Sequence, residues 1–300
     1  MEWLNYHHLY YFHVVAREGT IAAACKVLRL AQPTISGQLK LLESSLGEPL
    51  FKRRGRRLEL TEVGRTVHQY AGEIFGLGRE LQDAVKGRSS TTAALRVGIS
   101  DTVPKLIAHR LLDPALSATP AVRLVCTEDK TVRLLAELAT RDLDLVISDS
   151  PLPAGSTTRA YNHLLGECGV TFFGTAKRTR ALSGRFPASL QDAPMLLPTP
   201  QTELRRSIDR FFSKHEITPQ TVAEFEDSAL MKAFGEGGAG VFPGPTALAD
   251  EICERYGVVP VGQTSEITER FYAITVERRM KHPAAIEIAE NARARIFKRP

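Results

Sequence analysis

Apolar side chains at Leu9, Phe12, Val15 and Ala16 recur at helical spacing. Gly19 closes that run. Thr20 stands where a cap belongs, its hydroxyl placed to accept from a first-turn N–H of a second helix over Ile21 to about Leu28. After a short break, Pro33 suits the first turn of a third helix, where its missing N–H is no loss. In that helix Ile35, Leu39, Leu42 and Leu46 stand 4, 3 and 4 residues apart, a stripe about 60° wide that packs on the other two helices. The opposite face carries Pro33, Ser36, Gly37, Lys40 and Ser44, with Thr34 on its flank. No carboxylate interrupts its first two turns. Such a helix suits a major groove, where N-terminal side chains meet base edges.

From Thr61 the pattern lengthens. Val63, Val67, Tyr70, Ile74, Leu77, Leu81 and Ala84 alternate steps of 4 and 3, a heptad seam that predicts pairing with a second helix. Packing against its own domain is the other reading of that seam. Glycines at 64, 72, 76 and 78 interrupt the helix, each costing about 0.8–1 kcal/mol against Ala, so a packing partner has to hold it. A small, polar hinge follows over 88–94. Beyond it, strands and helices alternate: strands at Leu95–Ile99, Arg123–Thr127 and Leu143–Ser148, with helices at about Val103–Leu116 and Thr131–Thr140. A second set opens with a strand near Gly169–Gly174. It continues with a helix at Leu204–Lys214, a strand at Val222–Phe225, a helix at Ala229–Gly235, a strand at Gly240–Phe242 and a helix at Thr246–Arg255. Arg270–Glu277 and a helix over Pro283–Phe297 return to the first set. The alternation predicts a parallel sheet with helices on both faces.

Charge sharpens the picture. Residues 1–90 hold 13 Lys and Arg against 9 Asp and Glu, whereas residues 91–300 hold 26 against 25. Lys52-Arg53-Arg54-Gly55-Arg56-Arg57 concentrates five cations in six residues between Leu50-Phe51 and Leu58-Glu59-Leu60. It reads as the tip of a hairpin wing lying against phosphate or reaching the minor groove, with a solvated turn as the plain alternative. The 300 residues, 43% hydrophobic and 24% charged, exclude a disordered or fibrous chain. No apolar run approaches the roughly 18 residues that span a bilayer, and no signal peptide opens the chain. The four cysteines lack metal-ligand or CxxC spacing. Together these predict a cytoplasmic protein with no cofactor, no metal and no membrane partner.

Two motifs carry a resemblance. Ala31-Gln32-Pro33-Thr34-Ile35-Ser36-Gly37-Gln38-Leu39-Lys40 and Leu50-Phe51-x-Arg53-x-x-Arg56-x-x-x-Leu60-Thr61-x-x-Gly64 resemble the recognition-helix and wing signatures of the LysR-type transcriptional regulators. The resemblance implies a winged helix-turn-helix over 1–60 and a dimerising linker helix over 61–87. After the hinge it implies an effector domain of two doubly wound α/β lobes, similar to periplasmic binding proteins, with lobe 1 at 95–165 and 267–300 and lobe 2 at 166–266. It implies double-stranded DNA as a partner, contacted by Gln32, Pro33, Thr34, Ser36, Lys40, Arg53, Arg54 and Arg56. It further implies RNA polymerase, a small effector, and self-association as a dimer or tetramer through Val63, Val67, Tyr70, Ile74, Leu77 and Leu81. Segments such as Asn5–Phe12, Gly166–Val170 and Glu224–Gly235 resemble the branch of the family that activates a sodium/proton antiporter gene, which implies sodium or lithium as the signal.

Ligands of such sheets bind beyond the carboxyl ends of the strands. There the chain places Ser100, Thr102 and Thr131, hydroxyl donors for an organic anion, and Asp101, Glu128, Asp149 and Asp227, hard oxygens for a cation. Helix capping is the plain alternative for these acids. A carboxylate-dependent enzyme fused to a winged helix is a remote alternative, because GxSxG and HExxH are absent. Gly235–Gly240 follows a helix and precedes a strand, the reverse of a phosphate loop, and reads as a helix C-terminal turn.

Overall fold

Built-in stops explain the three short helices that begin the chain: α1 (Tyr6–Glu18), α2 (Ile21–Leu28) and α3 (Gln32–Leu46). The Asn5 side chain accepts from the N–H groups of His7 and His8, and Gly19 at φ 70° turns the chain out of α1. Thr20 Oγ1 accepts from the Ala23 N–H, as expected of a cap. The helices bury Leu9, Phe12, Val15, Ala24, Ile35, Leu39 and Leu42 in one core. Leu46, expected in the same stripe, is 38% exposed, because α3 ends there at Gly47.

Strands β1 (Phe51–Arg54) and β2 (Arg57–Leu60) pair antiparallel from Phe51↔Leu60 to Arg54↔Arg57, forming the wing. Helix α4 (Glu62–Val85) follows. At its start the Thr61 hydroxyl donates to the Pro49 carbonyl and accepts from the Gly64 N–H. Gly64 is obligatory, since a Cβ there would collide with the Leu50 carbonyl.

This computed structural model describes residues 3–54, 57–85, 93–117, 122–153, 155–156, 159–182 and 185–297. Of the expected hinge, 88–92 lies outside the described residues, and Ala93-Ala94 already belong to a strand. Contacts divide the chain into two compact units, Met1–Ser90 with Ala136–Asp142, and Thr91–Leu135 with Leu143–Pro300. No helix among the described residues is long and apolar enough to cross a membrane.

The second unit contains β3 (Ala93–Ser100), α5 (Lys105–Leu116), β4 (Val122–Asp129), α6 (Thr131–Ala139, shared with the first unit), β5 (Leu145–Ser148), β6 (Tyr161–Gly174) and α7 (Ala176–Ala181). Then come β7 (Pro194–Pro198), α8 (Glu203–Lys214), β8 (Gln220–Phe225), α9 (Ser228–Glu236), β9 (Phe242–Pro245), α10 (Ala249–Tyr256), β10 (Val259–Thr275) and α11 (Pro283–Asn291), which runs on into a π turn. Six strands form a sheet of order β4-β3-β5-β10-β6-β9, and β7-β8 form a parallel pair bridged to Val241.

The sheet is mixed rather than all-parallel. β3 runs parallel to β4 and β5, but β10 runs antiparallel to β5 and β6, and β6 to β9. The reason is that the chain crosses between lobes on two continuous strands of 14 and 17 residues. The expected lobe limits at 165/166 and 266/267 fall inside β6 and β10. Their ladder slips between Thr264 and Glu269, so the lower part extends the β3–β5 sheet and the upper part extends the β7–β9 layer. One core joins Leu95, Ile107, Leu145, Phe271 and Ile288 with Leu196, Phe225 and Phe242. A second packs Phe172, Met195, Ile208 and Phe211 under α8.

Candidate functional site

On α3, Gln32, Pro33, Thr34 and Lys40 are exposed and Ser36 is half-buried, opposite the buried Ile35, Leu39 and Leu42. Ala31 caps the helix without a side-chain bond and the first turn holds no acid, which leaves open donors and favours an anion at that end. The Glu43 carboxylate accepts from the N–H groups of Leu50 at 2.7 Å and Phe51 at 3.3 Å. Helix α3 therefore sets the entry of the β1–β2 hairpin. Arg53 and Arg54 lie on β1, and Arg56 lies outside the described residues.

The heptad seam of α4 divides. Val67 and Ile74, with Phe75, pack against the core of the helical domain, which is the plain reading of those positions. Val63, Tyr70, Leu77 and Leu81 stay 38–65% exposed. Where α4 meets α1, His68 and His13 sit with ring centroids 5.0 Å apart. Burial and then the neighbouring His13 push His68 down to about 4.

At the strand ends, three of the expected effector residues meet a fourth. Ser100 Oγ, fully buried, is 2.9 Å from both Thr102 Oγ1 and Thr131 Oγ1. Thr102 donates to Asp149 Oδ1 at 2.7 Å and Ser150 to the same oxygen at 3.2 Å. Burial raises Asp149 against the pull of those bonds. The other three acids do not join them. Asp101 pairs with Lys130 at 2.5 Å and Glu128 with Lys105 at 2.5 Å. Asp227 is the cap of α9, accepting from the Ala229 N–H at 2.8 Å. The four-carboxylate set therefore does not converge, because lysines neutralise two members and a helix end employs a third. Among the described residues no cluster of three or more His, Cys, Asp or Glu side chains is disposed to hold a metal.

Two side chains not anticipated from sequence complete the cleft. Glu269, on β10 at the ladder slip, is 9% exposed, and its Oε2 has no hydrogen-bond partner. Lys232, on α9, is 3% exposed and donates to the Ser228 carbonyl at 3.1 Å. Burial drives the two toward one another, Glu269 up to about 8 and Lys232 down to about 8, while their mutual attraction opposes both shifts. Thr102, Asp149, Thr202, Phe225, Lys232 and Glu269 line a cavity of about 40 Å³. It meets a wider cleft of about 280 Å³ at Asp149, Leu204 and Glu269. Glu269 did carry a signal, since it interrupts the inward alternation Ile267, Phe271, Ala273. Lys232 carried none.

The family model for the bacterial regulatory helix-turn-helix protein, lysR family, matches residues 6–65, and that for the LysR substrate binding domain matches residues 88–296. The chain is 34% identical over 297 residues to the transcriptional activator protein NhaR of Escherichia coli K12, covering 99% of this chain and 98% of that one. It is 28% identical over 236 residues to the regulator CbbR of Rhodospirillum rubrum, covering 77% and 76%. Among solved structures it is similar in fold to ArgP from Mycobacterium tuberculosis, with TM-score 0.69, 16% identity and coverage of 97% and 98%. Full-length OxyR from Pseudomonas aeruginosa matches with TM-score 0.66, 20% identity and coverage of 98% and 96%.

Proposed function

Because the chain belongs to the LysR family of bacterial DNA-binding transcriptional regulators, we propose that it activates a sodium/proton antiporter gene in response to sodium or lithium. The full-length match to a protein named as a transcriptional activator carries this reading. The sodium signal follows from the resemblance of the sensor segments to the antiporter-activating branch. The family and these relatives are regulators, so the enzyme alternative is set aside.

In this account the protein works in the cytoplasm, on DNA and with RNA polymerase. Gln32, Pro33, Thr34, Ser36 and Lys40 meet bases, each good contact giving about 1–3 kcal/mol of discrimination. Arg53, Arg54 and Arg56 meet phosphate and supply salt-dependent affinity. Two copies pair along α4 through Val63, Tyr70, Leu77 and Leu81, and two dimers assemble into a tetramer. The effector enters between the lobes, near Ser100, Thr102, Thr131 and Asp149. Binding there biases the lobes, within the limit set by its differential affinity for the two states.

In-vitro transcription from an antiporter promoter, in NaCl and in KCl at equal ionic strength, tests this. Activation that requires the protein and is stronger in NaCl is expected. Equal output in the two salts would defeat the sodium reading. A small organic anion is the second reading, favoured by the Lys232 ammonium in the cleft. Footprints that change with a metabolite and ignore the cation would select it.

A further inference from the structure

We propose that Glu269, with Asp149, receives a compact cation inside the lobe cleft, and that the Lys232 ammonium is the resident charge this cation displaces. The proposal deepens the cation-responsive reading above and rests on it for the link to transcription.

A buried carboxylate oxygen without a partner is costly. Glu269 Oε2 is such an oxygen, and its side chain lines both the small cavity and the wider cleft. Its position is also where an effector has leverage. Asp149 follows β5 in lobe 1, Glu269 stands at the slip of a strand shared by both lobes, and Lys232 belongs to α9 in lobe 2. One ion between the two carboxylates therefore touches the lobe-1 sheet and the crossing strand, and it replaces the counter-charge supplied from lobe 2.

Size narrows the ligand. The inner cavity is about 40 Å³, room for a few water-sized spheres at ~10–15 Å³ each and far below the ~300 Å³ at which ligand pockets begin. It admits a monovalent cation with a water or two, or the head of a small ammonium, whereas a larger metabolite has room only in the wider cleft. The wider cleft of about 280 Å³ shares Asp149 and Glu269 and gives the route in. Oxygen is the donor type that hard cations take, and the Thr102 hydroxyl beside Asp149 adds one more. Lys232 makes the site a competitive one. Its ammonium is tied to the Ser228 carbonyl of its own helix and offsets Glu269 in the absence of effector. A cation that takes over this role relieves Lys232 of it and changes the electrostatic balance between α9 and the crossing strand.

The test is a thermal-unfolding titration of the full-length protein with NaCl, LiCl or methylammonium chloride, each replacing KCl at constant ionic strength. Wild type gains stability with at least one of the three over K⁺. Glu269→Gln loses that gain, or needs at least tenfold more cation to reach half of it. Lys232→Met reaches half-saturation at least tenfold lower, a sharpening that loss of a merely structural lysine does not produce. Should Glu269→Gln fail to fold, the doubly neutral Lys232→Met/Glu269→Gln variant is expected to fold and to ignore all three cations. A response to methylammonium alone, lost in Glu269→Gln, keeps this site and removes sodium as the signal. The proposal falls if wild type ignores all three, if Glu269→Gln or the double variant responds as wild type does, or if Lys232→Met leaves half-saturation unmoved.

Discussion

Replacing Glu43 by Ala should unfasten the wing from the recognition helix. Glu43 accepts from the Leu50 N–H at 2.7 Å and from the Phe51 N–H at 3.3 Å. The first is a short, charge-assisted bond, worth about 1.5–3 kcal/mol. The second is long and adds little. Leu50 is fully buried, so its orphaned N–H has little access to water, and its desolvation is part of the same loss rather than an addition to it. The expected cost is about 2–3 kcal/mol. For a domain of this size each kcal/mol moves the midpoint by about 4–8 °C, so the first unfolding transition should fall by roughly 10–20 °C. Glu43→Gln keeps an acceptor without the charge and should lose about half as much. Calorimetry reads the midpoint, and hydrogen exchange at the Leu50 and Phe51 amides reads the bonds themselves. A Glu43→Ala protein within ~0.5 kcal/mol of wild type, with Leu50 as protected as before, would refute the reasoning.

His68 should make the helical domain acid-labile. Its folded value of about 4 lies below the ordinary 6.5, so the unfolded chain binds the proton first and stability is lost as pH falls from about 6.5 to about 4. The full loss is about 3 kcal/mol, and His68→Gln should flatten that part of the stability–pH curve; an unchanged curve would contradict it. Leu77 and Leu81 are 65% and 64% exposed in the single chain, so Leu77→Glu with Leu81→Glu should leave the fold intact but halve the molar mass in light scattering. An unchanged mass would remove α4 as the pairing surface. Lys40→Ala should weaken DNA binding; a contact to a base edge predicts about 1–3 kcal/mol and relaxed specificity at one position, whereas a phosphate contact predicts a salt slope smaller by about 1 with specificity unchanged. No change in either would take Lys40 off the interface.

The local signals in the sequence were strong where chemistry is local. Gly19 and Thr20 end and cap their helices as residues of those types do, and the apolar flanks of the basic hexamer do become paired strands. The features the sequence does not reveal depend on distant contacts. β7 is not legible in the sequence because its apolar Met195-Leu196-Leu197 is bracketed by Pro194 and Pro198, residues that argue against a strand unless they stand at its two ends. The length of β6 was hidden by Gly166 and Gly169, which look like a break. Gly166 in fact clears space for the Phe297 ring, and Gly169 for the Thr264 carbonyl. The acids at the strand ends were visible, but their neutralisers were not. Lys105 and Lys130 reach Glu128 and Asp101 only once β3 and β4 pair and bring their ends side by side, and the attraction between Lys232 and Glu269 spans 37 residues of chain.

Genome-wide footprinting tests the account most directly. Wild type and Glu269→Gln would each be mapped in NaCl and in KCl at equal ionic strength, since any salt weakens phosphate contacts. The account predicts discrete sites, one beside a sodium/proton antiporter gene, whose wild-type footprint changes with sodium while that of Glu269→Gln does not. Footprints indifferent to the cation, or a sodium effect that survives in Glu269→Gln, would contradict it.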